Sequence, residues 1–564
     1  MTAESNPGAG DDLLTGIEAA AGLVVYGADA VDAAAPASTR QALVADGVPA
    51  LLAQQAPTLW GPEAEAEAKI RLGWVDTYRR GRDLLPQLAE LRAELADLDH
   101  VVLAGMGGSS LAPEVIARTL GVSLTVLDTT DPHQVRAAMY GDGDQSAAAD
   151  RLRRTVLVVA SKSGSTIETD SHRRAYLHAF LDTGMTEAEA GRHFVVVTDP
   201  GSPLETTARE MGAFVVLADP EVGGRYSALT AFGLVPSALA GVDVAELLDQ
   251  AEALTGSLRK DTDNPSLALG AALGSAATAG RDKVALVSDG SGIEGLGDWA
   301  EQLIAESTGK NGVGILPVVV EDPQSPGATG PDVLTITYGG SLPPGSVPGG
   351  GVRPDVAVNG PLGAQFLAWE YATAIAGRVL GIDPFNQPNV TESKENTARI
   401  LADGLPQESP AFTEGAIEVY APAGDDLAGV LGTLVRGLGD EGYLAVMAYL
   451  DRFGDADAAR VRGHLARASG RPVTFGWGPR FLHSTGQYHK GGPQVGSYLQ
   501  ITGAVTADLT VPGKPYSFGQ LQAAQAAGDR QALAGRDRPV VHLHLTDRAA
   551  GISQLVAAVE ALPS

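Results

Sequence analysis

Residues 100–110, HVVLAGMGGSS, and residues 154–166, RTVLVVASKSGST, decide the fold. Each is a short Val- and Leu-rich run that breaks into glycine or hydroxyl residues and then gives way to a segment of helical period. Neither run alternates apolar with polar residues, so both faces are buried, the pattern of parallel strands joined by crossover helices. The runs LTVLD (124–128), HFVVVTDP (193–200) and AFVVLADP (213–220) continue it and predict one α/β domain over 97–245.

Outward from this unit, KVALVSD (283–289), GILPVVVE (314–321) and VLTITY (333–338) repeat the strand pattern and predict a second α/β domain over 246–404. Two such units suggest an internal duplication. Residues 339–351, GGSLPPGSVPGGG, carry too much Gly and Pro for regular structure and read as a surface loop. Residues 1–96 read as a mostly helical leader whose first dozen residues form a solvated tail. Residues 405–564 read as a C-terminal α/β portion whose strand pairing the sequence does not assign.

The chain has 564 residues, 44% of them hydrophobic and 19% charged, enough for more than one sizeable core. With 68 Asp and Glu against 40 Lys and Arg, its net charge of −28 repels phosphate backbones, which argues against nucleic acid as a partner. A small anion remains acceptable, because cations and helix N-termini act at close range inside a cleft. There is no Cys, which removes disulfides, thiolate metal sites and a Cys nucleophile. No export signal or membrane-length apolar run is visible, so a soluble cytoplasmic protein is expected.

Several segments carry chemistry. Gly105, Gly107, Gly108, Ser109 and Ser110 form a strand-to-helix turn through which a backbone can approach an anion. With Asp128 ending the next strand, that turn also resembles a dinucleotide fingerprint, although Ser110 replaces the third Gly. Ser161, Lys162, Ser163, Ser165 and Thr166 place several hydroxyls and a cation before a helix, more than capping needs and suited to a phosphate monoester. Arg225 follows two glycines in EVGGRYSALTAFG. In DWAEQLIAESTGKNG, Gln302 and Glu306 share a helical face, and a carboxylate near the helix C-terminus suits a base working near neutrality. Gln387 and Lys394 flank a helix start in DPFNQPNVTESKENTARIL, and FGWGPRFLHSTGQYHKGGP gathers Arg480, His483, Gln487, His489 and Lys490. His542 and His544, in VVHLHL, mark the wetter face of a strand.

In order, GMGGS, SKSGST, VGGRYS, ESTGKNG and PFNQPNVTESK resemble glucose-6-phosphate isomerases over about residues 95–500, and FLHSTGQYHKGGP is similar to the branch found in transaldolase fusions. The resemblance implies two sugar-isomerase domains, each a parallel sheet flanked by helices, assembled as a homodimer. It implies reversible conversion of glucose 6-phosphate to fructose 6-phosphate in glycolysis and gluconeogenesis. The substrate is a sugar phosphate, and no redox cofactor or metal is called for. It also implies that Gly108, Ser109, Ser161, Lys162, Ser163 and Thr166 hold substrate, with Gln302 and Gln387. Glu306 is then the base, Arg225 the stabiliser of the enediolate, and Lys394 an aid at the ring oxygen. The family's ring-opening histidine falls between the glutamate and the lysine, where this chain has none. Either Lys394 acts with water, or His483 or His489 enters from the C-terminal loop; the second alternative is the one expected. A sugar-phosphate sensor would not need Glu306, Arg225 and Lys394 together, and an oxidoreductase would rest on Gly105, Gly107 and Asp128 alone.

Overall fold

The computed structural model describes residues 16–563 apart from positions 20, 36, 142, 344–345, 347–352, 390, 422–423 and 537. Among the described residues there are three sheets, each built round four parallel strands in one spatial order. In the first the order is Thr125–Leu127, His100–Gly105, Thr155–Ala160, Phe194–Thr198, with Phe214–Leu217 added beyond, all parallel. In the second, Leu316–Val319, Lys283–Ser288, Val333–Gly339 and Val356–Asn359 repeat it. In the third, Val473–Trp477, Tyr443–Tyr449, Gly496–Gly503 and Val540–Leu545 do so again. The chain leaves the first of the four for one edge and returns to add the third on the other side. A crevice therefore opens between the carboxyl ends of those two strands, where α/β sheets receive ligands.

The local reason for strands is the one the sequence announced. Thr155–Ala160 and Phe194–Thr198 are buried at every position, and so is Val333–Gly339. Helices on both faces supply the cover. The C-terminal portion has its own sheet, its edge extended by antiparallel Ile417–Tyr420 and Phe412–Glu414. Val287, Leu316 and Val318 of the second sheet share an apolar cluster with Tyr443, Met447 and Tyr498 of the third, so these two sheets are packed together.

The leader is mostly short helices, and it also carries a hairpin that the sequence pattern does not reveal. Gly16–Glu18 and Val24–Tyr26 form a hairpin that pairs antiparallel with Val356–Asn359. The physical reason is edge protection: without it, a strand buried on both faces would leave its outer N–H and C=O groups unpaired. The rest of the leader is short helices whose apolar residues join one core with the first and second sheets. Trp60 Nε1 donates to the Ala374 carbonyl at 2.8 Å. The N-terminal dozen residues and most of the loop expected over 339–351 lie outside the described residues. Among the described residues, no helix is long and apolar enough to cross a membrane.

Trp74 ties the leader to the site. It is fully buried, stacked on Tyr226 and edge-on to Tyr371, with ring centroids 5.0 Å apart in each case. Trp74→Ala is expected to cost about 3–5 kcal/mol by cavity formation, read as a lower urea midpoint. A loss under 1 kcal/mol would show that the leader is not part of the core.

Candidate active site

The crevice of the first sheet opens where His100–Gly105 and Thr155–Ala160 end. Three other segments close over it, and glycine makes the approach possible. A Cβ on Gly108 would stand 1.9 Å from the Gly224 carbonyl oxygen, inside the VGGRYS turn. Gly107 has φ +55, and a Cβ there would lie 2.7 Å from both Gln302 Nε2 and the His483 carbonyl oxygen. The result is a cleft of about 590 Å³.

Its anion-binding wall is the turn at 161–166. Ser161 and Thr166 hydroxyls lie 2.9 Å apart and those of Ser163 and Ser165 3.0 Å apart, so they satisfy one another until a better acceptor arrives. Thr166 is the N-cap residue of helix Ile167–Asp182, yet its side chain caps no backbone N–H. Both hydroxyls and the helix start thus face the cleft with capacity to spare. Lys162 Nζ sits 2.7 Å from Asp199, and burial pushes its ammonium below the ordinary value against the pull of that carboxylate.

Across the cleft stands Glu306, near the end of helix Leu296–Thr308. Arg225 Nη1 lies 3.0 Å from Glu306 Oε1, and Gln302 Nε2 donates to Oε2 at 3.0 Å. The dipole that disfavours a carboxylate at this helix end is met by a guanidinium and an amide. Arg225 also donates to Ser307 Oγ and to the carbonyls of Pro384 and Asn386. Lys310 donates to Asp383 and Asn386 carbonyls as well, and burial, with Arg225 beside it, pushes its ammonium well below the ordinary value. Two cations thereby hold the 383–386 turn that leads to Gln387 and Lys394.

Gln387 and Lys394 line the cleft, both exposed, and Lys394 makes no hydrogen bond or ion pair with a described residue. His483 enters from the short helix Arg480–His483 of the C-terminal portion. Its Nε2 is 2.9 Å from Glu168 Oε1, and Gln525 Nε2 donates to the same oxygen at 2.7 Å. Burial by itself would raise the Glu168 carboxyl. The imidazole beside it, with the charge of Lys394 further off, outweighs that and holds it below the ordinary carboxylate value. The Glu168 carboxylate thus holds the orientation of the His483 ring through Nε2.

One expected residue stands elsewhere. His489 is buried away from the cleft, stacked on Tyr443, whose hydroxyl is 3.0 Å from its Nδ1. Burial pushes this imidazole well below its ordinary value, so it is a neutral packing group. The reason is local: Gly486–Gly491 is helical, and His489 faces the third sheet while Gln487 faces the cleft. Gly108, Ser109, Ser161, Lys162, Ser163, Thr166, Arg225, Gln302, Glu306, Gln387, Lys394 and His483 share the cleft. Asp128 does not; it binds Ser110 Oγ and Arg480, which takes away the ribose-binding acid of a dinucleotide reading.

Sequence reasoning missed Glu168, Asp199, Glu67 and Arg71. Glu168, second in its helix, passes for a simple dipole partner. Glu67 and Arg71 carry no signal in a segment of short helices, yet they pair at 2.8 Å on the cleft rim. Among the described residues, no cluster of three or more His, Asp or Glu could hold a metal ion.

Comparison with known proteins finds sugar-phosphate isomerases among the similar chains. Residues 93–315 match the family model described as phosphoglucose isomerase. A probable glucose-6-phosphate isomerase of Haloarcula marismortui is 34% identical over 229 residues, 40% of this chain and 50% of that protein. The chain thus spans half the length of that relative. A glucose-6-phosphate isomerase of Clostridium perfringens is 27% identical over 396 residues, 58% of this chain and 86% of its own. Among solved structures, a hypothetical protein of Thermus thermophilus aligns at TM-score 0.50 and 25% identity, covering 63% of this chain and 98% of that one. A glucose-6-phosphate isomerase of Chlamydia trachomatis aligns at TM-score 0.53 and 18% identity, covering 70% and 92%, a likeness of fold.

Gly108→Ala is expected to force the two glycine turns apart and cost about 1–3 kcal/mol through overpacking, measured by urea unfolding. An unchanged midpoint would show that the turns are not in contact.

Proposed function

We propose that the chain interconverts glucose 6-phosphate and fructose 6-phosphate, a reading supported by the match of residues 93–315 to the family model described as phosphoglucose isomerase. The observation that carries the reading is the buried pair of Glu306 and Arg225, 3.0 Å apart, across the cleft from the hydroxyl turn. Aldose and ketose are isomers, so the reaction involves no net redox change. The proposal extends to a cytoplasmic homodimer serving glycolysis and gluconeogenesis, as the family resemblance implies.

The 161–166 turn, Lys162 and the helix start bind the phosphate, and this remote binding energy positions the reacting carbons. His483 takes the anomeric hydroxyl proton while Lys394 gives one to the ring oxygen, opening the ring. Glu306 then removes the proton on C2, the O2 hydroxyl proton passes to O1 across the enediol, and Glu306 returns its proton to C1. Arg225 stabilises the negative oxygen of the enediolate between these steps. Protons on His483 and Lys394 exchange in reverse when the product ring closes. All the groups named belong to a single chain.

A coupled assay for fructose 6-phosphate formation tests the reading. Glu306→Gln should lower kcat by about 10²–10⁴-fold with modest change in substrate binding; retained turnover would mean a different base. His483→Ala should slow fructose 6-phosphate turnover by a similar factor. It should spare the 5-deoxy analogue of fructose 6-phosphate, which cannot close a furanose ring. Equal loss on both would take His483 out of ring opening.

A further inference from the structure

His483 is held in the cleft by a strap of the C-terminal portion, and the strap is laid along the helix that carries Glu306. Asp298, Gln302 and Glu306 follow one another at intervals of four and so lie on one face of Leu296–Thr308. The strap meets that face in the same order. Arg480 Nη2 lies 3.5 Å from Asp298, the His483 carbonyl accepts from Gln302 Nε2 at 2.8 Å, and Gln487 Nε2 donates to the Gly309 carbonyl at 2.9 Å. Only the first of these contacts is ionic, and it reaches beyond the helix.

The Arg480 guanidinium is 2.7 Å from Glu114 Oε2 and 3.0 Å from Asp128 Oδ2 through Nη1. Glu114 lies on helix Leu111–Leu120, which follows the Gly107–Ser109 turn, and Asp128 directly follows strand Thr125–Leu127. A second cation of the C-terminal portion, Arg452, donates to the other Glu114 oxygen at 2.7 Å. Burial opposes ionisation of Glu114, but the two guanidiniums hold its carboxyl well below the ordinary value. One buried fork therefore touches the element behind the phosphate side of the cleft, the helix of the base, and the strap itself. A planar guanidinium holds several carboxylates in a fixed, rigid fork, where a lysine offers a point charge on a flexible stem.

We propose that Arg480 is a positioning residue that sets the register of the strap, and thereby the distance of His483 from the sugar ring. The proposal rests on the reading of His483 as the ring-opening group. Only Phe481 and Leu482 lie between Arg480 and His483, so a shift of the guanidinium passes to the imidazole with little chain to absorb it. Glu168 and Gln302 fix the orientation of His483 only once it has been brought within hydrogen-bond range. Loss of a positioning contact on this scale, about 1 Å of displacement, is worth about a hundredfold in rate.

The test is Arg480→Gln. Glu114 keeps Arg452, whereas Asp128 is left with the Ser110 hydroxyl, so the variant is first checked for folding. The expected result is an approximately hundredfold fall in kcat for fructose 6-phosphate, with turnover of the 5-deoxy analogue kept within about threefold. In a His483→Ala background, Arg480→Gln should add little further loss, because it acts through the histidine. Parallel loss on both substrates, or full additivity with His483→Ala, would reduce Arg480 to a general staple and overturn the proposal. If Arg480→Gln does not fold, Asp298→Asn carries the same test from the helix side, with a smaller selective loss expected and no selective loss overturning it. His483→Ala that left both substrates untouched would defeat the ring-opening reading, and the proposal with it. A selective effect of His483→Ala without one of Arg480→Gln would defeat the proposal alone.

Discussion

Two backbones touch at Gly108 and Gly224, and the site is built round that contact. A strand end of the first sheet supplies the Gly107–Ser109 turn, while the turn carrying Arg225 belongs to a separate excursion of the chain. They can meet only because Gly108 has no side chain; a Cβ there would stand 1.9 Å from the Gly224 carbonyl oxygen. Gly107 extends the same condition to Gln302 and His483. Backbone proximity of this kind is a steric condition, and polar groups are arranged on top of it.

The charge arrangement follows a second condition, that a buried ion must have its partner. Arg225 and Glu306 are almost wholly covered, and removing one partner of such a pair costs about 3–5 kcal/mol because the other charge is stranded. That penalty also explains why Arg225 spends its remaining donors on Ser307 and on the carbonyls of the 383–386 turn. Lys310 assists from beneath. The glutamate is thus held in place by groups that are themselves held, and the lysine-bearing helix Thr391–Asp403 is brought to the rim by the same turn.

All three sheets share one strand order, yet their crevices differ. In the second, Asp289 fills the space, accepting from Ser291 and from Asn359 at 2.7 Å, and a Cβ on Gly339 would collide with it. The third has a cavity of about 350 Å³ lined by Tyr449, Thr502, His542 and His544. In the first, hydroxyls and a cation stand at the strand ends with capacity left over. The shared order places a crevice; the residues at the strand ends decide whether it is filled from within or left for a ligand.

Much of this was legible from neighbouring residues. Buried strands show as unbroken Val and Leu runs, hydroxyl turns stand beside them, and Gln302 and Glu306 share a face by spacing alone, because short-range periodicity dictates each of these. The leader hairpin was not legible, since two three-residue strands owe their existence to an edge more than 300 positions away. Nor could the sequence choose between His483 and His489, six positions apart in one polar segment. His483 meets Glu168 across 315 residues and Gln302 across 181, whereas His489 packs on Tyr443 and Tyr498. The sequence by itself determined the strand-turn-helix units and the chemistry of their turns. Tertiary packing alone decided which imidazole reaches the cleft, because that depends on how a strap is caught between the third sheet and the helix of Glu306, a distance no local pattern can encode.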